Sequence, residues 1–185
     1  MELMPEVIQF ASSKAMAARI ADVIEAELSC SAQSSIALSG GSTPAALYQE
    51  LSERPCNWPD VTGILVDERW VPPTDKGSNE AFVQRTLKQA AAANMSLQGM
   101  WRADSTPASA AQRLSDEAAG AASPLDVVVL GMGSDGHTAS WFPYAHGLEL
   151  ALSRNASDVV AIKARASDVT GRYLDRLTLS LRKVQ

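Results

Sequence analysis

Two rhythms of apolar residues alternate along this chain. Short, mainly apolar runs at 7–10, 35–38, 61–66 and 125–130 read as strands buried on both faces. Between them, apolar residues recur every three or four positions, as in amphipathic helices. Over 14–28 the spacing of Met16, Ile20, Val23, Ile24 and Leu28 predicts a helix that Ser12 or Ser13 can cap. A second helix runs to about position 52, with Ser42 or Thr43 as its cap and Pro44 in its first turn, a favoured place for proline. Pro72, Pro73 and Gly77 mark a loop, and Ser78-Asn79-Glu80 opens a helix over 81–93. A short strand at 97–101, an alanine-rich helix at 107–120 and late strands at 158–162 and 177–181 complete the pattern. The alternation predicts a single α/β domain: a mostly parallel, doubly wound sheet with helices on both faces.

Three polar motifs stand directly behind predicted strands. They are Ser39-Gly40-Gly41-Ser42-Thr43-Pro44, Asp67-Glu68-Arg69-Trp70 and Gly131-Met132-Gly133-Ser134-Asp135-Gly136-His137. In a parallel sheet all strand carboxyl ends lie along one edge, where ligands bind, so the three are expected to meet in space. The first is a glycine-rich strand-to-helix turn. Its free N–H groups, the helix start and the Ser42 and Thr43 hydroxyls form a phosphate seat that Gly40 and Gly41 let a ligand approach. It has neither the lysine of a P-loop nor GxGxxG, which argues against ATP and NAD. An ordinary capped turn has the same residues, so both readings stay open. In the second motif Arg69 can hold a phosphate through its planar fork, with Asp67 and Glu68 orienting it or a sugar hydroxyl. A solvated loop with an ion pair is the alternative. In the third, Asp135 can fix the tautomer of His137 and support its charged form, an arrangement suited to acid/base work. A histidine that merely caps a turn is the plainer reading, and it suits His146, the other histidine, which lies outside any motif. Neither Ser134 nor Ser140 stands in a nucleophile elbow. Trp70 and Trp141 are candidate cleft walls, whereas Trp58 and Trp101 read as packing.

Composition narrows the partners. The 185 residues are 46% hydrophobic and 20% charged, which is globular, and the net charge of −5 argues against nucleic acid. A small anion held by local donors is compatible with that charge. Cys30 and Cys56 form no CxxC pair and have no nearby histidine, so no metal site is expected. Two isolated cysteines, no apolar run of transmembrane length and no basic-then-apolar leader predict a cytoplasmic protein without a membrane partner.

Taken together, LSGGSTP, VDERWVP, the SNE helix start and LGMGSDGHTASWFP, in that order over residues 36 to 143, resemble the 6-phosphogluconolactonase family. Its wider superfamily includes glucosamine-6-phosphate deaminases and isomerases. The resemblance implies a Rossmann-like, NagB-like fold and hydrolysis of 6-phospho-D-glucono-1,5-lactone to 6-phosphogluconate, without cofactor or metal. His137, supported by Asp135, would activate a water, and backbone N–H groups of Gly133 and Gly136 would hold the oxyanion. Gly40, Gly41, Ser42, Thr43, Asp67, Arg69, Asn79 and Arg172 form the expected substrate- and phosphate-binding set. The deaminases carry a DEY-like motif and a GHIAFNEP-like segment. Here Arg69 and Trp70 follow Asp67-Glu68, and Thr138, Ala139, Ser140, Trp141, Phe142 and Pro143 replace the segment with the deaminase glutamate. An enzyme of that branch is the runner-up, and a non-catalytic sugar-phosphate binder, which needs no base, is the third reading. Lys163, Arg165 and Arg172 precede RLTLSL, which resembles a family strand, but the proline-containing approach to it is absent. Family members continue past the position of Gln185, so a domain over 1–185 is expected to lack their C-terminal elements. A monomer or homodimer is expected.

Overall fold

The computed structural model describes residues 6–118 and 124–185. Helix α1 (Ser13–Leu28) begins where the Ser12 hydroxyl accepts the Ala15 N–H at 3.2 Å. Its buried row is Ala17, Ala21, Ile24 and Leu28, while Val23 faces solvent. The buried stripe is therefore rotated from the one the larger side chains mark, because the two alanines let α1 lie close against helix α2 (Ala45–Ser52). Pro44 itself occupies the cap position of α2 and no side chain caps it, so the Ser42 and Thr43 hydroxyls are not spent there as expected. Residues 7–10 form no strand. They run over the surface with Val7 and Ile8 exposed, because no described strand lies beside them to complete a ladder.

Strand β1 (Ser34–Leu38) is central. It pairs in parallel with β2 (Val61–Leu65), which is followed after one residue by β3 (Asp67–Arg69). Outside β2 lies β4 (Ser96–Gln98) and outside β1 lies β5 (Val127–Val128), both parallel, giving the order β4-β2-β1-β5. Helix α3 (Asn79–Thr86) is shorter than the 81–93 pattern predicts, and a separate helical turn follows at Ala90–Asn94. Helix α4 (Pro107–Ala118) follows β4, and the last predicted residues of the 107–120 helix fall outside the described ones. The run at 125–130 is half-buried, with Leu130 exposed, because β5 pairs only with β1 and forms the sheet edge. The α/β reading with a helix-flanked parallel sheet holds.

The late strands differ from expectation. After a short helix α5 (Leu148–Ala151), β6 (Val159–Lys163) and β7 (Asp175–Leu179) join β3 in an antiparallel sheet of order β3-β7-β6, and α6 (Leu181–Val184) follows. The β6–β7 connection spans 164–174, short of the roughly dozen residues a parallel crossover needs. The two sheets meet at Val66. Its N–H donates to Leu38 at 3.0 Å in the parallel sheet, and its carbonyl accepts from Leu179 at 2.8 Å in the antiparallel one.

Glu68 anchors this junction to α3. Its side chain is buried, and its carboxylate accepts four hydrogen bonds: from the N–H groups of Arg69 (2.8 Å), Asn79 (2.7 Å) and Glu80 (2.8 Å) and from the Ser78 hydroxyl (2.9 Å). Burial pushes its carboxyl up from the usual range, and the four donors pull against that. A neutral amide of the same shape can accept through one oxygen only, and its NH₂ faces backbone donors. Glu68→Gln is therefore expected to destabilise the fold by about 1–3 kcal/mol, the usual cost of leaving buried donors unpaired. Urea unfolding checks this, and an unchanged midpoint refutes the anchoring role.

Candidate active site

The carboxyl ends of β1, β2 and β5 open into one cleft of about 300 Å³. The three polar motifs line it together: Ser39 through Pro44; Asp67 and Arg69 with Asn79; and Gly131, Met132, Gly133 and His137. Ala139, Phe142, Val169 and Arg176 complete the wall.

The glycine-rich turn is pinned from below, where the Tyr48 hydroxyl donates to the Ser39 carbonyl at 2.8 Å. Gly41 has φ 100°, and a methyl group on Gly40 would collide with the Asn79 amide, so both positions demand glycine. Among the described residues, the N–H groups of Gly40, Gly41, Ser42 and Thr43 donate to no protein acceptor. The Ser39 hydroxyl is buried at the cleft and has no partner. Unpaired donors concentrated on one turn at the cleft are what an anion seat requires.

Two guanidinium groups face this turn from the antiparallel sheet. Arg69 donates through Nη1 to the Gly77 carbonyl (2.8 Å) and the Asn79 Oδ1 (2.7 Å), and its Nε is buried without a partner. Arg176 is almost fully buried, lies 4.7 Å over the Phe142 ring and donates through Nε to the Tyr173 carbonyl at 2.8 Å. Burial pulls Arg176 below its ordinary range; the Asp67 and Glu68 carboxylates oppose this and the Arg69 charge adds to it. Asp67 is the carboxylate set against the pair, with its Oδ2 3.8 Å from Arg176 Nη1. The lining thus holds two fixed cations against one carboxylate, an imbalance that a bound anion corrects.

At the other end, His137 Nδ1 meets Asp135 Oδ1 at 2.5 Å, and its ring stacks on Phe142 with centroids 4.1 Å apart. The tautomer with its proton on Nδ1 satisfies this bond and leaves Nε2 as an acceptor for a water proton. Burial pushes the Asp135 carboxyl up, but its hydrogen bonds to the His137 ring and backbone N–H prevail and hold it below the usual range.

Several expected residues have other places. The Gly133 N–H donates to the His137 carbonyl (2.8 Å) and the Gly136 N–H to the Gly133 carbonyl (3.0 Å), so the donors expected for an oxyanion close the turn instead. Gly136 does not line the cleft. Arg172 stands away from it, paired with Asp75 at 3.3 Å and bonded to the Tyr173 hydroxyl at 3.0 Å. Lys163 pairs with Asp175 and Arg165 donates to the Tyr144 carbonyl, so neither of these reaches the cleft. Arg176, the arginine that opens RLTLSL, does. Glu68 points away to α3, and the Asn79 amide is spent on Arg69 and Asp67. Trp70 and Trp141 pack into the two cores, and Phe142 supplies the aromatic wall. Among the described residues no group of three or more His, Cys, Asp or Glu side chains is placed to hold a metal ion, and no helix is long and apolar enough to cross a membrane.

Comparison with known proteins shows the family. The family model of glucosamine-6-phosphate isomerases/6-phosphogluconolactonase matches residues 9–185. The chain is 44% identical over 147 residues to a 6-phosphogluconolactonase of Rhizobium meliloti, covering 77% of this chain and 63% of that protein. It is 38% identical over 140 residues to one of Pseudomonas aeruginosa, covering 76% and 59%. The chain thus spans about three fifths of these curated relatives. Its structure superposes on a 6-phosphogluconolactonase of Shewanella baltica with a TM-score of 0.86 at 37% identity, covering 95% of this chain and 74% of the other.

The anion seat is testable without any reaction. Inorganic phosphate is expected to bind, and Arg69→Ala to weaken it about tenfold or more, given roughly 1.5–3 kcal/mol for a hydrogen bond to a charged group. Isothermal titration measures this, and equal affinity in the variant removes Arg69 from the seat.

Proposed function

The chain belongs to the glucosamine-6-phosphate isomerase/6-phosphogluconolactonase family, and we propose that it hydrolyses 6-phospho-D-glucono-1,5-lactone to 6-phosphogluconate. The observation that carries this reading is one cleft with an anion seat at one end and the Asp135–His137 pair at the other. The phosphate sits on the turn N–H groups of Gly41, Ser42 and Thr43, between the guanidinium groups of Arg69 and Arg176. Anchoring that end places the lactone carbonyl beside His137.

His137 takes a proton from water through Nε2 while the water oxygen bonds to the carbonyl carbon. The carbonyl π electrons move to its oxygen. The N–H groups of Gly131 and Met132, which donate to no protein acceptor among the described residues, are the donors this reading gives to that oxyanion. Collapse of the adduct breaks the bond from the carbonyl carbon to the ring oxygen, and the imidazolium returns its proton to that oxygen. Asp135 keeps the imidazole oriented and balances its charge while it holds the proton. A lactone is activated enough for this route to need no covalent enzyme intermediate.

The test is hydrolysis of freshly generated 6-phosphogluconolactone, corrected for its spontaneous loss. His137→Ala is expected to lower turnover about 10²–10⁴-fold, the range for a lost general base, with folding intact. Near-normal turnover in the folded variant removes His137 as the base. Activity is expected to survive EDTA treatment, and glucosamine 6-phosphate to release no ammonia. Ammonia release at a rate comparable with lactone hydrolysis moves the chain to the isomerase branch.

A further inference from the structure

Ser140 takes no part in the chemistry just described, yet its side chain is fully buried beside the cleft. Its hydroxyl donates to Asp67 Oδ2 at 2.6 Å, and its N–H donates to the Thr178 hydroxyl at 3.3 Å. The other oxygen of Asp67 accepts from Asn79 Nδ2 at 3.0 Å, and Asn79 Oδ1 accepts from Arg69 Nη1 at 2.7 Å. Asp67 and Asn79 are themselves buried. An unbroken chain of hydrogen bonds therefore runs from the loop that carries His137 to a guanidinium of the anion seat.

A second observation concerns the same loop. Ala139, between His137 and Ser140, has φ 47°, a left-handed conformation that costs a residue with a side chain about 1–3 kcal/mol and persists only where its surroundings impose it. The bonds of Ser140 to Asp67 and Thr178 lie directly after it, and the Trp141 N–H closes a turn on the Thr138 carbonyl at 2.9 Å. Ser140 fastens the strained loop to the antiparallel sheet, beside Trp141, whose indole N–H donates to the Leu179 carbonyl at 2.9 Å.

We infer that Ser140 is a positioning residue: through Asp67 and Asn79 it fixes the span between the phosphate seat at Arg69 and the base His137. This rests on the lactonase reading above. A substrate held at one end reacts at the other only if that span matches its length, and misplacement by about 1 Å can cost roughly 100-fold. The span matters only for a substrate that is anchored by phosphate. An unphosphorylated lactone settles against His137 without reference to Arg69.

The experiment measures kcat and KM of the parent, Ser140→Ala, Arg69→Ala and the double variant on 6-phosphogluconolactone and on unphosphorylated glucono-1,5-lactone. Ser140→Ala is expected to lower kcat on the phosphorylated lactone about 10–100-fold with KM changed less than about threefold, as for lost alignment without lost binding. The loss on the unphosphorylated lactone is expected to be several-fold smaller. In the Arg69→Ala background, Ser140→Ala is expected to cost less than about twofold, because coupled residues are not additive. Equal losses on both lactones, or additive losses in the double variant, mark Ser140 as merely structural and overturn the inference. If Ser140→Ala does not fold, Ser140→Cys, which keeps the volume but donates weakly, is compared in the same way. A parent protein without turnover overturns the lactonase reading and this inference with it, an outcome distinct from a parent that turns over with additive variants.

Discussion

The constraint on which the site depends is that one extended segment belongs to two sheets. At Val66 the chain leaves its ladder with Leu38 and enters one with Leu179. Past that point the parallel and antiparallel sheets diverge, and the cleft opens in the space between them. Successive side chains of a strand point to opposite faces, so the divergence also sorts the next three residues. Asp67 and Arg69 face the cleft, and Glu68 between them turns to the start of α3. A run of three charges that looks like one motif is thus two functions interleaved: two groups for a ligand and one for the scaffold that holds them.

The accounting of polar groups separates scaffold from site. Glu68 is saturated by four donors, and the Asp67 oxygens by Asn79 and Ser140. The buried polar atoms left without partners among the described residues are the Ser39 hydroxyl, the Arg69 Nε and the Thr138 hydroxyl. The first two belong to residues that line the cleft and the third follows His137 directly. Buried groups are normally paired, so such a cluster is either a cost the fold bears or a set of contacts reserved for a ligand. Their concentration around one concave surface favours the ligand.

Much of this was legible in the sequence because the parallel sheet does the gathering. Once 35–38, 61–66 and 125–130 read as parallel strands, the motifs behind them had to share an edge, and they do. What the motifs could not disclose was how each backbone group is used. Gly133 and Gly136 looked like oxyanion donors, but turn closure onto His137 and Gly133 consumes both. Arg172 was expected to help bind phosphate, but Asp75 and Tyr173 hold it outside the cleft. Arg176 sits in a strand, where periodicity predicts packing, and only the antiparallel pairing with β3 brings it beside Asp67. The apolar run at 7–10 shows the same limit: a strand is a relation between two segments, and hydropathy describes one.

The aromatic wall joins the two ends of the cleft electrostatically. Phe142 contacts both the His137 ring, stacked at 4.1 Å, and the Arg176 guanidinium, 4.7 Å from its centroid. A histidine that has taken a proton becomes a cation, and a bare arginine against it would oppose that step. The ring that both of them contact attracts a cation through its face, which offsets part of that opposition. Beyond them stand Asp135 on the histidine side and Asp67 on the arginine side. On the proposed reading, these two carboxylates and the shared ring let one cleft carry a transferred proton at His137 beside the fixed positive charge of Arg176.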